Sequence, residues 1–223
     1  MQTLADSVSP LVARIQAMRD SVTPERQAEI DAELKAEADC EKRRRIVAVG
    51  MPSIFERTPF EAAPKRARDW ARRCWKGESR NLVLVGDSGD GKTEAACALL
   101  VAMAPHMACR FATFGDVLRS VRDTYGGQGS ESRALSQWAG CKVLCLDDLG
   151  KERPTPDALD KLFALVDMRY RSGKPTIFTS QYASPSELGH RLMAQGGDAE
   201  TAQAIVRRVY GMGEYRAEVV SCS

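Results

Sequence analysis

The stretch VLVGDSGDGKTEAACALL, Val83 to Leu100, decides the fold. Asn81 to Val85 is an apolar run of the length of a short buried strand, and Lys92 to Met103 is a nearly all-apolar run of helical length. Between them lies Gly86-Asp87-Ser88-Gly89-Asp90-Gly91-Lys92-Thr93, with the G-x-x-x-x-G-K-[ST] spacing of a loop that cradles phosphate. The octet alone occurs by chance in unrelated chains; a strand entering it and a helix leaving it supply the context that a phosphate loop needs. The backbone N–H groups of Gly89, Gly91 and Lys92 would then converge on a β-phosphate. Lys92 would reach the β/γ oxygens, and Thr93 would ligate Mg²⁺.

Two aspartates in the loop, Asp87 and Asp90, oppose this reading at first sight. At roughly 8 Å and an effective dielectric of about 20, each would repel a triphosphate by on the order of 2 kcal/mol. That is tolerable against Lys92, a metal ion and a helix N-terminus if both carboxylates point outward. On that expectation Asp90→Thr tightens ATP binding.

A phosphate loop that hydrolyses its nucleotide needs a second part, an acidic group at the tip of a neighbouring strand. VLCLDDLG, Val143 to Gly150, supplies it. Asp147 is placed to hold Mg²⁺ through water, and Asp148 to orient or deprotonate the attacking water. TIFTSQY, Thr176 to Tyr182, is a further strand with Thr179, Ser180 and Gln181 at its carboxyl end, where α/β folds place ligands. AIVRRVYG carries Arg207 and Arg208; in a ring or spiral of copies one of them could enter a neighbour's site as an arginine finger.

Short apolar strands alternate with helical stretches from Asn81 onward: Cys109–Thr113, Phe114–Tyr125, Lys142–Leu146, Pro156–Ser172, Pro175–Thr179 and a final edge strand over Tyr215–Val220. This predicts an α/β fold with a parallel sheet covered on both faces. Gly126–Arg133 reads as a Gly/Ser-rich break. Ahead of the core, Ser9-Pro10 and Thr23-Pro24 are two helix starts. The second helix is too polar to join a core, so residues 1–45 are expected to be a helical arm that docks a partner, and residues 46–223 the ATPase domain.

Composition narrows the class. The chain has 223 residues, 43% of them hydrophobic, enough for one sizeable core with an appendage. A net charge of +2 marks no global field for nucleic acid or membrane. Its basic clusters, Lys42–Arg45 and Lys65–Arg80, are expected to be solvated helix faces. Seven scattered cysteines without a C-x-x-C, and two isolated histidines, argue against a disulfide framework or a zinc site. A soluble cytoplasmic protein that contacts no membrane is expected.

With these pieces in order the chain resembles the helicase-loader and transposition-helper branch of the AAA+ ATPases, the DnaC/IstB type. The resemblance runs over roughly Ile46 to Val220. It rests on GMPSIFERTPFE, GDSGDGKT, FGDVLRSVRDTYGG, LCLDDLGKERPTPDALDKLFALVDMRYRSGKPTIFTSQY and AIVRRVYG. It implies a P-loop AAA+ three-layer sandwich with five parallel strands in the order 5-1-4-3-2 and no C-terminal lid. It also implies ATP and Mg²⁺ as cofactors, Ser180 and Gln181 at the γ-phosphate sensor, and Arg208 as the trans-acting arginine. Met51 and Pro52 would line the adenine pocket, and Arg122 and Tyr125 would touch single-stranded DNA through a cation and a stacking ring. Two positions depart from the family pattern: Gln181 in place of asparagine, which alters the geometry of γ-phosphate sensing, and Asp148 in place of glutamate, a variant also seen in the transposition helpers, whose shorter carboxylate points to slow hydrolysis.

The reading that follows is an ATP-hydrolysing loader, homo-oligomeric with ATP, that delivers a replicative hexameric helicase onto single-stranded DNA. The alternative in the same class is an IstB-like transposition helper that binds duplex DNA and activates a transposase. A P-loop kinase for a small molecule and a non-hydrolysing, nucleotide-gated adaptor are more distant alternatives.

Overall fold

The computed structural model describes residues 23–78, 80–125, 129–194, 198–211 and 216–222. The helix start at Ser9-Pro10 and the Tyr215 end of the last strand lie outside them. The chain divides into two compact units, one ending at Arg43 and one beginning at Arg44.

In the first unit, the helix α1 (Pro24–Val47) begins after Thr23, whose hydroxyl accepts from Arg26 N. Up to Arg43 its residues are exposed except for a partly covered Ile30, and Leu34 is 58% exposed. The last turn of α1 belongs to the second unit, where Ile46 joins the core.

The second unit is built on five parallel strands: β1 (Leu82–Val85), β2 (Cys109–Thr113), β3 (Val143–Asp147), β4 (Thr176–Ser180) and β5 (Glu218–Ser221). Their spatial order is β2-β3-β4-β1-β5, which is 5-1-4-3-2 read from the other edge, with β5 as an edge strand. Side chains alternate across the sheet. Val83, Val85, Leu144, Leu146 and Phe178 face one apolar cluster; Leu82, Leu84, Val143, Cys145 and Ile177 face the other.

The second face is covered by α2 (Lys65–Trp75) and α3 (Lys92–Met103). α2 turns Ala67, Trp70, Ala71 and Cys74 inward while its basic residues stay outside. Several of those bases are neutralised by acids: Arg72 and Lys65 by Asp69, Arg66 and Arg73 by Glu218. α3 is apolar nearly all round because the sheet, α2 and two 3-10 turns at Ser53–Phe55 and Phe60–Ala62 enclose it.

The first face is covered by α4 (Phe114–Arg122), α5 (Glu131–Ala139), α6 (Pro156–Arg171), α7 (Pro185–Met193) and α8 (Ala199–Tyr210). Each is started by a side-chain cap: Thr113, Ser130, Thr155, Ser184 and Asp198 accept from the backbone N–H three residues on. Two sequence expectations change here. Residues 131–133 are the first turn of α5 rather than a break, and α7 and α8 occupy a stretch to which the sequence pattern assigned no helix.

Candidate nucleotide-binding site

β1 ends at Val85, just before Gly86, and α3 begins at Lys92, so the octet closes over the carboxyl end of the sheet. A cleft of about 480 Å³ opens there. One wall is Ser88, Gly89, Gly91, Lys92, Thr93 and Glu94; the other is Asp148, Leu149, Lys151 and Gln181, with Phe55 at the side.

The loop is braced from within. Asp90 does not point outward: its Oδ2 accepts from Asp87 N at 2.7 Å. A Cβ built on Gly86, whose φ is +155°, would come within 2.7 Å of that same oxygen, so only glycine fits there. Asp90 is thus a loop-shaping group, and the expectation that Asp90→Thr tightens binding loses its basis. Asp87, Ser88 and Gly89 are exposed. Lys92 is buried, and its ammonium donates to the Asp87 carbonyl at 2.5 Å, across the mouth of the loop.

The acidic pair divides into a buried and an exposed member. Asp147 accepts from Thr93 Oγ1 at 3.0 and 3.1 Å and from Thr179 Oγ1 at 2.7 Å. Burial raises its pKa above the usual carboxylate value, and the two hydroxyl donors pull against that. Thr179 also accepts from Asp148 N at 2.8 Å, so one hydroxyl fixes both aspartates. Asp148 is in the left-handed region, with φ +56°. That conformation turns its carboxylate toward the cleft, where it pairs with Lys151 at 2.7 Å.

The turn after Asp148 is held rigidly. Leu149 N donates to Thr179 O, and Leu149 O accepts from Ser180 Oγ. Arg191, from α7, donates to the carbonyls of Gly150, Lys151 and Glu152 at 2.7, 3.2 and 3.2 Å. Gly150, at φ +93°, packs so closely on Tyr182 that a Cβ would lie 2.7 Å from its ring. Ser180 is buried and its hydroxyl is spent on Leu149 O, so of the two sensor positions only Gln181 reaches the cleft.

A magnesium ion calls for hard oxygen donors. Thr93 lines the cleft and its Oγ1 donates to the buried Asp147 carboxylate behind it, a hydroxyl and a carboxylate of the right chemistry. Among the described residues no cluster of three or more His, Cys, Asp or Glu could hold a metal. A bound ion would therefore draw most of its ligands from phosphate and water.

Other expected positions fall elsewhere. Met51 is buried and Pro52 is exposed; neither lines this cleft, which Phe55 borders. Arg208 lies near the amino end of the sheet, where Asn81, just before β1, donates to the carbonyls of Arg208 and Val209. It pairs with Asp167 at 2.6 Å and stacks 4.6 Å from the Phe163 ring. From there it cannot serve its own cleft. Arg207 is exposed. Arg169, another candidate finger, is 2% exposed and is spent on structure: its donors go to Thr176 Oγ1 and to the carbonyls of Ala139, Cys141, Lys142 and Pro175. Arg122 closes α4, and Tyr125 sits in the following turn, 62% exposed, not in the core.

The phosphate loop, the acidic pair and the five-stranded parallel order define an ATP-binding protein of the AAA+ class. Within that class the family model described as IstB-like ATP binding protein matches residues 5–221, and the chain belongs to that family. An insertion-sequence ATP-binding protein of Mycobacterium tuberculosis (strain ATCC 25618 / H37Rv) is 31% identical over 148 residues, 64% of this chain and 58% of that protein. Another, from Pseudomonas fluorescens, is 38% identical over 115 residues, covering 49% and 47%. The chain thus spans about half the length of the curated relatives it matches. Among solved structures, DnaI superposes with a TM-score of 0.63 at 22% identity, covering 77% of this chain and 94% of that one. The DnaC helicase loader gives 0.60 at 21% identity, covering 76% and 99%. At these identities the likeness is one of fold. Among the described residues no helix is long and apolar enough to cross a membrane.

Proposed function

We propose that this chain is a transposition helper: an ATPase that assembles with ATP, binds duplex DNA and activates a transposase. The observation that carries the reading is the family match over residues 5–221, joined to a cleft lined by Gly89, Gly91, Lys92 and Thr93 of the phosphate loop and by Asp148 of the acidic pair. The named relatives are ATP-binding proteins of insertion sequences, which favours this role over the helicase-loader reading drawn from the sequence. The likeness to DnaI and DnaC is one of fold and does not carry a partner across. An AAA+ core also sets the small-molecule kinase aside.

In the mechanism that fits these residues, Lys92 and the loop N–H groups hold the phosphate chain. Mg²⁺, bound by Thr93 and, through water, by Asp147, would neutralise charge on the phosphate oxygens. Asp148 orients the attacking water and accepts its proton, and Gln181 reports the γ-phosphate. Arg208 of one copy completes the cleft of the next. Arg122 and Tyr125 contact DNA, and the α1 arm docks the transposase.

The test is co-purification of the chain, with and without ATP, against an insertion-sequence transposase and against a replicative helicase. ATP-dependent capture of the transposase, with assembly on duplex DNA, is the expected result. Capture of the helicase instead, with preference for single-stranded DNA, would restore the loader reading.

A further inference from the structure

Lys151 has no part in the mechanism above, yet it is a cation on the cleft wall facing the phosphate loop. Its ammonium rests on a single acceptor, Asp148 Oδ2, at 2.7 Å, and that bond raises its pKa. The side chain is 74% exposed and therefore free to move. The backbone beneath it is held: Thr179 binds the N–H groups of Asp148 and Leu149, Ser180 binds the Leu149 carbonyl, and Arg191 binds the carbonyls of Gly150, Lys151 and Glu152. A mobile cation on a rigid base, paired with the carboxylate assigned to the attacking water, can exchange that partner for another anion.

A phosphate chain lying on the loop would extend its γ end toward the wall formed by Asp148, Lys151 and Gln181. A γ-phosphate is more highly charged than one carboxylate, so the ammonium gains by changing partners once a triphosphate is bound. A diphosphate, one phosphate shorter, would leave the ion pair closed.

We propose that Lys151 is a specificity residue for triphosphate, transferring from Asp148 to the γ-phosphate and thereby freeing the Asp148 carboxylate. The proposal rests on the nucleotide reading of the cleft. In the empty or diphosphate-bound state Lys151 restrains Asp148; in the triphosphate-bound state it contributes to binding and Asp148 is released. Specificity and readiness for hydrolysis then share one side chain.

The experiment measures the Kd of the full chain for a non-hydrolysable ATP analogue and for ADP by calorimetry, each with Mg²⁺, so that no turnover is needed. Lys151→Met is expected to weaken the analogue about tenfold and ADP less than twofold, with Lys151→Arg restoring most of the loss. Equal weakening of both ligands, or of neither, would overturn the proposal. Should Lys151→Met melt at a lower temperature than the parent, Lys151→Gln gives the same comparison with a polar side chain. Lys92→Ala is the control for the site itself: if it binds both nucleotides as the parent does, the cleft reading fails, whereas loss there with an unchanged ratio in Lys151→Met overturns only the proposal.

Discussion

The two ends of the sheet hold their cations in opposite ways. At the amino end Arg169 is buried and every donor of its guanidinium is matched, four carbonyls and a hydroxyl drawn from β4 and the approach to β3. At the carboxyl end Lys92 and Lys151 each rest on one acceptor, a backbone carbonyl and a carboxylate. A fully matched cation contributes to the fold and has nothing left to offer a ligand. A singly matched cation costs little to release, and a phosphate can take it. Arg208 is intermediate, held by Asp167, the Ala204 carbonyl and two ring faces and still partly exposed.

Substitutions can break or sharpen this contrast. The largest effect is expected at Arg208: Arg208→Ala should lower ATP turnover about a thousandfold in the assembled state while leaving ATP affinity unchanged. Retained turnover would move the trans-acting role to Arg207, since Arg169 is out of reach of any neighbour. Next comes Arg169→Ala, which strands four carbonyls and a hydroxyl in the interior. A loss on the order of 3 kcal/mol is expected in denaturant unfolding, and a loss below about 1 kcal/mol would deny its structural role.

Asp147→Asn should separate stability from function. Its carboxylate has a folded-state pKa raised by burial, so the folded state loses stability as pH rises through the unfolded carboxylate value, and the loss is complete above the raised one. The amide keeps an acceptor for Thr93 and Thr179 without the charge. The nucleotide-free variant is therefore expected to melt a few degrees higher at neutral pH, about 1 kcal/mol, and to lose this gain below about pH 4, where Asp147 is protonated in both states. Mg²⁺-dependent ATP binding should fall in the same variant. The smallest effect is expected at Asp90: removing the brace with Asp90→Ala should weaken ATP binding about fivefold, near 1 kcal/mol. Tighter binding would return Asp90 to the role of a repelling charge.

Much of this was legible from residues alone. β2 and α3 run over the stretches that the sequence pattern marked, Cys109–Thr113 and Lys92–Met103. Ser184-Pro185 repeats the cap-and-proline start seen at Thr23-Pro24, so α7 carried a readable signal; α5 did not, since its apolar residues Ala134, Leu135, Trp138 and Ala139 follow a Gly/Ser stretch. Lys92, Thr93, Asp147 and Asp148 could be picked out by spacing. Their organisers could not. Thr179 bridges both aspartates and Arg191 clamps the turn only because β4 lies beside β3 and α7 runs beneath the turn, 41 residues along the chain. Asp90 shows the limit from the other side: its charge was visible, but its direction depended on an N–H that only the folded loop exposes.

The central claim is that nucleotide is held in the cleft between the phosphate loop and the acidic turn. The most direct measurement is ATP binding to the full chain and to Lys92→Ala, with thermal melting to confirm that both are folded. The account predicts an unchanged fold and at least a hundredfold loss of affinity, about 2.7 kcal/mol. Equal affinity in the two proteins would contradict it.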